Sequence, residues 1–275
     1  MLKVDRLAVI ALALAVVACG SLEPTPPPGP TATAALPTAG TPSPEATPQP
    51  VPAEAIQVRT PGNGSRLVAS VHVDGEAEPT FEQHLVVQVM ALDEEPFAVL
   101  AQQSVIIGAE AGSRGPFAAD LGFDLGAAPE RPGAINVFSV SPRDGGVTHL
   151  TSIQVTLAAS GESAVLPNEG ADERIAIFEP SPGAALTGGL AHVEGFALAS
   201  FEQTLLVEVV DVDGNVVGSM PVTVQAPDMG IPGPFAVDVP YAVAASGPGR
   251  IVVRDISVAF GQDLHLASVD VDVEP

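Results

Sequence analysis

Residues 71–93, VHVDGEAEPTFEQHLVVQVMALD, and residues 191–213, AHVEGFALASFEQTLLVEVVDVD, agree at eleven of 23 positions. The matches include His72/His192, Gly75/Gly195, Ala77/Ala197, Phe81/Phe201, Glu82/Glu202 and the aliphatic run Leu85, Val87, Val89 with Leu205, Val207, Val209. The spacing inside each copy is two. Leu67, Ala69, Val71, Val73 and Gly75 fall on one side of a strand and Val68, Ser70, His72 and Asp74 on the other, which is the signature of a half-buried strand. Outside this stretch Pro61-Gly62 recurs as Pro182-Gly183, Gly115-Pro116-Phe117 as Gly233-Pro234-Phe235, and His149-Leu150 as His265-Leu266. The offsets drift slightly, as they do when loops vary over a constant scaffold. The chain is therefore read as two copies of one domain, 56–158 and 173–275, joined by a linker at 159–172.

Turn chemistry at Pro61-Gly62-Asn63-Gly64, Glu94-Glu95-Pro96, Gly112 to Pro116, Pro129 to Gly133 and Asp144-Gly145-Gly146 divides the first copy into about seven strands. The second copy uses Asp213-Gly214, a hairpin signal. Short strands without helical periodicity predict an all-β fold: two tandem immunoglobulin-like antiparallel β-sandwiches. With no Trp, one Tyr and one Cys, each core is expected to hold by aliphatic packing, with Phe81, Phe117, Phe138, Phe201 and Phe235 its largest pieces.

These landmarks resemble the immunoglobulin-like domain of bacterial spore germination proteins. The second copy carries them as Pro182-Gly183, Gly195-Phe196-Ala197, Phe201-Glu202, Asp213-Gly214 and Gly233-Pro234-Phe235. The first has Pro61-Gly62, Gly75-Glu76-Ala77, Phe81-Glu82 and Gly115-Pro116-Phe117, with Asp93-Glu94-Glu95-Pro96 at the hairpin. The resemblance implies a fold and a germination-associated setting. It implies no chemistry.

The N-terminus is an export signal. Lys3 and Arg6 precede the apolar run Leu7 to Val17, too short to span a bilayer, so 1–18 is expected to be a cleaved signal peptide. Val16-Val17-Ala18-Cys19 resembles the lipobox of bacterial lipoproteins, which implies lipidation of Cys19 and attachment to the cell membrane on its extracytoplasmic side. Between Gly20 and Ala55 there are eleven prolines and no basic residue, so 19–55 is expected to be a disordered tether.

With 33 acidic and 10 basic side chains the net charge is -23, which opposes nucleic-acid binding. The first copy carries 12 acidic and 5 basic residues and the second 14 and 3, so the two are expected to repel mildly and to form a flexible or extended pair. Candidate chemistry is sparse. His72, Asp74 and Glu76 alternate on one strand face as a metal set would, but the second copy keeps only His192 and Glu194, with Phe196 third, and a solvated face accounts for both. Asp211-Val212-Asp213-Gly214-Asn215 has a trace of a calcium loop and reads better as a turn. Asp270, Asp272 and Glu274 read as solubilising charges guarding an edge strand. Glu82 and Glu202 each supply one carboxylate where acid–base catalysis needs two, and are expected to fix a strand entry by hydrogen bonding. No nucleophile elbow or phosphate loop occurs. The expectation is a lipid-anchored, non-catalytic binding or scaffolding module for an envelope protein or glycan, without cofactor or metal. A germination-associated envelope protein is the first alternative and a hydrolase or metal-dependent enzyme the second.

Overall fold

Alternating aliphatic and polar side chains can bury one face of a strand, and each repeat does so in eight strands. The protein is described by a computed structural model over residues 51–198 and 203–275. The signal peptide at 1–18, Cys19 and the tether up to residue 50, together with Phe201 and Glu202, lie outside the described residues.

The first repeat comprises β1 (Ile56–Thr60), β2 (Ser65–Val68), β3 (Ser70–Ala77), β4 (His84–Ala91), β5 (Ala98–Ile106), β6 (Gly115–Gly122), β7 (Glu130–Val140) and β8 (Val147–Ala158). The second comprises β9 (Ile175–Glu179), β10 (Ala185–Leu186), β11 (Leu190–Ala197), β12 (Thr204–Val210), β13 (Val216–Thr223), β14 (Gly233–Pro240), β15 (Gly247–Ile256) and β16 (Asp263–Val273). In the first, β1-β3-β6 face a sheet ordered β5-β4-β7-β8, with β2 pairing β8; in the second, β9-β11-β14 face β13-β12-β15-β16, with β10 pairing β16. This is the immunoglobulin-like sandwich, twice.

The short extra strands β2 and β10 explain the eight where the turn signals gave about seven. The run Leu67 to Gly75 is not one strand, because Ala69 adopts a left-handed conformation with φ 58°. There the chain leaves β8 and crosses to the opposite sheet as β3, where it meets β6. Gly188 and Gly189, at φ 73° and 72°, make the same crossing in the second repeat without the steric penalty of a Cβ.

The recurring glycine and Gly-Pro-Phe landmarks have one packing cause. Gly75 lies opposite Phe117 and Gly195 opposite Phe235 in the antiparallel register. A Cβ at Gly195 would stand 2.5 Å from the Phe235 ring and 2.3 Å from the carbonyl oxygen of Ala176; at Gly75 it would stand 2.7 Å from Phe117 and 2.1 Å from the carbonyl of Gln57. Each phenylalanine thus lies across a glycine with its ring in the core, 3% and 2% exposed. Gly195→Ala should lower the unfolding free energy by about 1–3 kcal/mol through overpacking, read by urea denaturation; an unchanged midpoint would refute this origin of the repeated glycine.

Two other phenylalanines expected in the cores behave differently. Phe81 is 58% exposed and is not a core piece, because a 3-10 turn at Phe81–Gln83 with left-handed Glu82 and Gln83 turns its ring to solvent. Phe138 packs outside both cores, against Leu150, Val210, Val252 and Leu266.

The two repeats are not a flexible pair. β16 pairs antiparallel with β8, joining the larger sheets of the two sandwiches into one sheet of ten strands. Mutual repulsion of two acidic bodies, the basis for expecting separation, is overridden by hydrogen bonding and by opposite charges placed at the contact. β16 is consequently interior, and Asp270 on it sits beside Arg250 and Arg143 instead of guarding an edge. Residues 159–172, read as a linker, run back along the first sandwich, where Ala164 exchanges backbone hydrogen bonds with Arg66 and the amide of Asn168 donates to Arg59.

Candidate functional site

The junction is built twice over from equivalent residues. His149-Leu150 and His265-Leu266 are the same positions of the two repeats, and in the β8–β16 pairing Leu150 stands opposite Leu266. Antiparallel pairing centred on equivalent residues defines a local pseudo-two-fold axis. The segments leading into β1 and β9 obey it too: the amide of Glu54 donates to the carbonyl of Ala171 at 2.8 Å, and the amide of Glu173 donates to that of Pro52 at 2.9 Å.

This pairing turns four ionisable side chains toward the axis. The amide of Ala55 donates to Oε2 of Glu173 at 2.8 Å, and that of its counterpart Arg174 donates to Oε2 of Glu54 at 3.2 Å, so each repeat holds the other's carboxylate. The hydroxyl of Thr151 donates to Oε1 of Glu54 at 3.0 Å. Strand alternation puts His149 and His265 on the core side of the sheet and Leu150 and Leu266 on the other. The imidazoles meet edge to face, centroids 4.9 Å apart. Nε2 of His265 lies 2.7 Å from Glu173 and 3.7 Å from Glu54; Nε2 of His149 lies 3.4 Å from Glu54 and 3.7 Å from Glu173. Nδ1 of His265 is buried without a hydrogen-bond partner among the described residues.

Burial and pairing oppose one another in this cluster. Burial works against charge on His149, but the Glu54 hydrogen bond and the two carboxylate charges prevail and raise its pKa. Burial likewise pushes Glu173 up, yet the His265 hydrogen bond, both imidazoles and the Ala55 amide hold it at about 2. A cleft of about 440 Å³, lined in part by Glu54, Gln57, Thr151, Asn168, Glu173 and Arg174, opens beside the cluster. A second of about 270 Å³ reaches His149 and Glu173.

The other sequence candidates do not converge. His72 pairs with Asp120 at 2.7 Å on the exposed face, Asp74 accepts from the Thr60 hydroxyl, and Glu76 is occupied by Arg59 at 2.6 Å and Arg114 at 3.5 Å. His192 lies between Asp238 and Glu194, at 2.6 and 2.8 Å, and these hydrogen bonds raise its pKa. The Asp211 carboxylate accepts the amides of Asp213 and Asn215, which closes a five-residue turn between β12 and β13. Glu82 is exposed, with no side-chain hydrogen bond among the described residues. The neighbouring Gln83 makes the anticipated link instead, its buried amide donating to the carbonyls of Glu110 and Ser113.

Glu54 and Glu173 were not singled out by sequence reasoning, although Glu54-Ala55-Ile56 and Glu173-Arg174-Ile175 repeat one another. His149 and His265 were visible as repeated scaffold positions only. No curated protein matches the chain. The model of the immunoglobulin-like domain of bacterial spore germination matches it twice, over residues 55–146 and 174–262, and the two matched segments correspond to the two sandwiches. With more than half of its length so matched, the chain belongs to that family of immunoglobulin-like domains.

Proposed function

We propose that the chain is a non-catalytic binding module, held at the outer face of a bacterial membrane through lipidated Cys19 and carried on its Pro-rich tether, that presents both sandwiches as one surface to an envelope protein or glycan. The supporting observation is the sheet face turned away from the two cores. Across the β8–β16 seam it carries Leu150, Val210, Val252 and Leu266, with Phe138 and Val147 packed against them. Ion pairs flank this apolar patch: Arg254 with Asp263 at 2.9 Å and with Glu208 at 3.3 Å, and Arg250 with Asp144 at 3.2 Å. The four aliphatic side chains are themselves only 5–8% exposed, so what this face offers a partner is the shallow depression over them, lined by Val147, the 52%-exposed Val216 and the Arg254–Asp263 pair, and both repeats contribute to it.

Two variants test the reading. Cys19→Ser should move the protein from the membrane fraction to the soluble one, and Val147→Asp with Val216→Asp should abolish capture of the component that the wild-type chain retains from envelope extract. Equal capture by the double variant would overturn the assigned face, and an unchanged distribution of Cys19→Ser would overturn the anchor. The family match favours a second reading, an envelope role during germination. In a spore-forming source, deletion of the gene should then slow germination, and unchanged kinetics would reject it.

A further inference from the structure

Two buried carboxylates facing one another across an axis need two positive charges nearby, because uncompensated charge in a protein interior is strongly unfavourable. Glu54 and Glu173 are 4% and 7% exposed, and His265 is fully buried. With neutral imidazoles the cluster carries two negative charges, which one divalent cation balances. We propose that Glu54, His149, Glu173 and His265 bind a single divalent transition-metal ion, with zinc the best match, on the pseudo-two-fold axis, and that the ion staples the two repeats together.

The donor set is two imidazole nitrogens and two carboxylate oxygens, and its four ligand atoms lie within 4.8 Å of one another. Such borderline donors suit zinc, whereas calcium and magnesium favour sites made of oxygen alone. A tetrahedral ion with ligands at about 2.0–2.2 Å spaces its ligand atoms roughly 3.3–3.6 Å apart. Oε1 of Glu54 lies 3.4 and 3.7 Å from the two imidazole nitrogens, and His149 approaches Glu173 at 3.7 Å through Oε2. The remaining contact, the 2.7 Å hydrogen bond from His265 to Glu173, has to open as the proton leaves Nε2 and the ion takes its place.

The surroundings are built for this as well. Backbone amides of Ala55 and Arg174 hold Oε2 of Glu173 and of Glu54, the kind of bracing that orients metal ligands. The clefts reaching Glu54 on one side and His149 on the other provide entry paths. Four protein ligands fill a tetrahedral ion, leaving no position for a substrate, so the ion is structural. Among the described residues Nδ1 of His265 has no outer acceptor of the kind metal-bound imidazoles usually have, and second-shell partners are worth about 10–100-fold in affinity, so EDTA should strip the site. The inference is independent of what the module binds.

The test uses the full chain, purified with zinc and then dialysed. Elemental analysis should find one zinc per chain, EDTA should remove it, and Tm should fall by roughly 5–10 °C from its value at zinc about 100-fold above Kd and recover when zinc is restored. Cobalt in its place should give the intense visible bands of a tetrahedral ion. Glu54→Gln with Glu173→Gln, which retains side-chain shape and removes the charge, should lose both the metal and the EDTA response, whereas His72→Gln with His192→Gln should keep them. A wild-type chain that holds no zinc and melts identically in zinc and EDTA would overturn the proposal and leave protons on the imidazoles as the neutralising charge. Zinc that persists in the Glu54→Gln, Glu173→Gln variant would place the ion elsewhere and overturn it equally. The wild-type arm decides even if a variant fails to fold.

Discussion

Arg250→Met is expected to destabilise the protein by about 3 kcal/mol, because it takes from buried Asp144, at the seam between the repeats, its nearer guanidinium and leaves only Arg143 at 3.6 Å. Both side chains of this pair are 3% exposed, and their atoms lie 3.2 Å apart. Asp144 belongs to the β7–β8 connection of the first repeat and Arg250 to β15 of the second, so the pair is a covalently remote clamp on the junction. Adding Asp144→Asn should restore much of the loss, since two neutral groups no longer carry a poorly compensated charge; a double variant no more stable than Arg250→Met would refute the argument. The same carboxylate sets an acid limit. Burial pushes its pKa up, but the Gly146 amide, the Ser141 side chain and Arg250 hold it at about 2. A folded-state pKa below the unfolded value of about 3.9 means stability that is full above pH 4 and is lost as the pH falls toward 2. Wild-type Tm should therefore drop across that window by more than that of the double variant.

Phe235→Ala should cost a similar amount, about 3–5 kcal/mol, which for a domain of this size lowers Tm on the order of 10 °C. The ring is 2% exposed and rests over Gly195, whose missing side chain leaves no neighbour to fill the void. Phe117→Ala makes the matching cavity over Gly75 in the first repeat. Phe81→Ala, by contrast, removes a ring that is 58% exposed and should shift stability by less than about 0.5 kcal/mol. Equal losses at Phe81 and Phe235 by urea denaturation would contradict the packing described for both.

The strands and the duplication were legible because each depends on local pattern: period-two alternation at Leu85, Val87 and Val89, and paired landmarks such as Gly195 with Phe235. The junction was not, for two physical reasons. Summed charge treats each repeat as a uniformly acidic body, whereas the contact depends on where Asp144 and Arg250 sit. Glu54 follows a run of prolines and reads as part of a tether, yet its carboxylate is drawn into the protein by the amide of Arg174, 120 residues away in sequence. Side chains that meet only across an axis leave no trace in the spacing along either copy. Their one signature is recurrence, at Glu54 with Glu173 and at His149 with His265, and recurrence alone does not separate scaffold from site. Ala69 was misread because its strand pattern continues through a residue whose backbone does not.

A surface that meets its own counterpart is what two identical subunits use to associate, and there every contact must occur in duplicate. Here both partners lie on one polypeptide, so the second is always present at high effective concentration and the halves are free to differ. The seam has used that freedom. The positions equivalent to Asp144 and Arg250 in the opposite repeats are Phe260 and Ala134, so the buried charge pair exists once. Fusion into a single chain is what allows one half of the contact to be electrostatic while the other is not, an asymmetry closed to a dimer of identical chains.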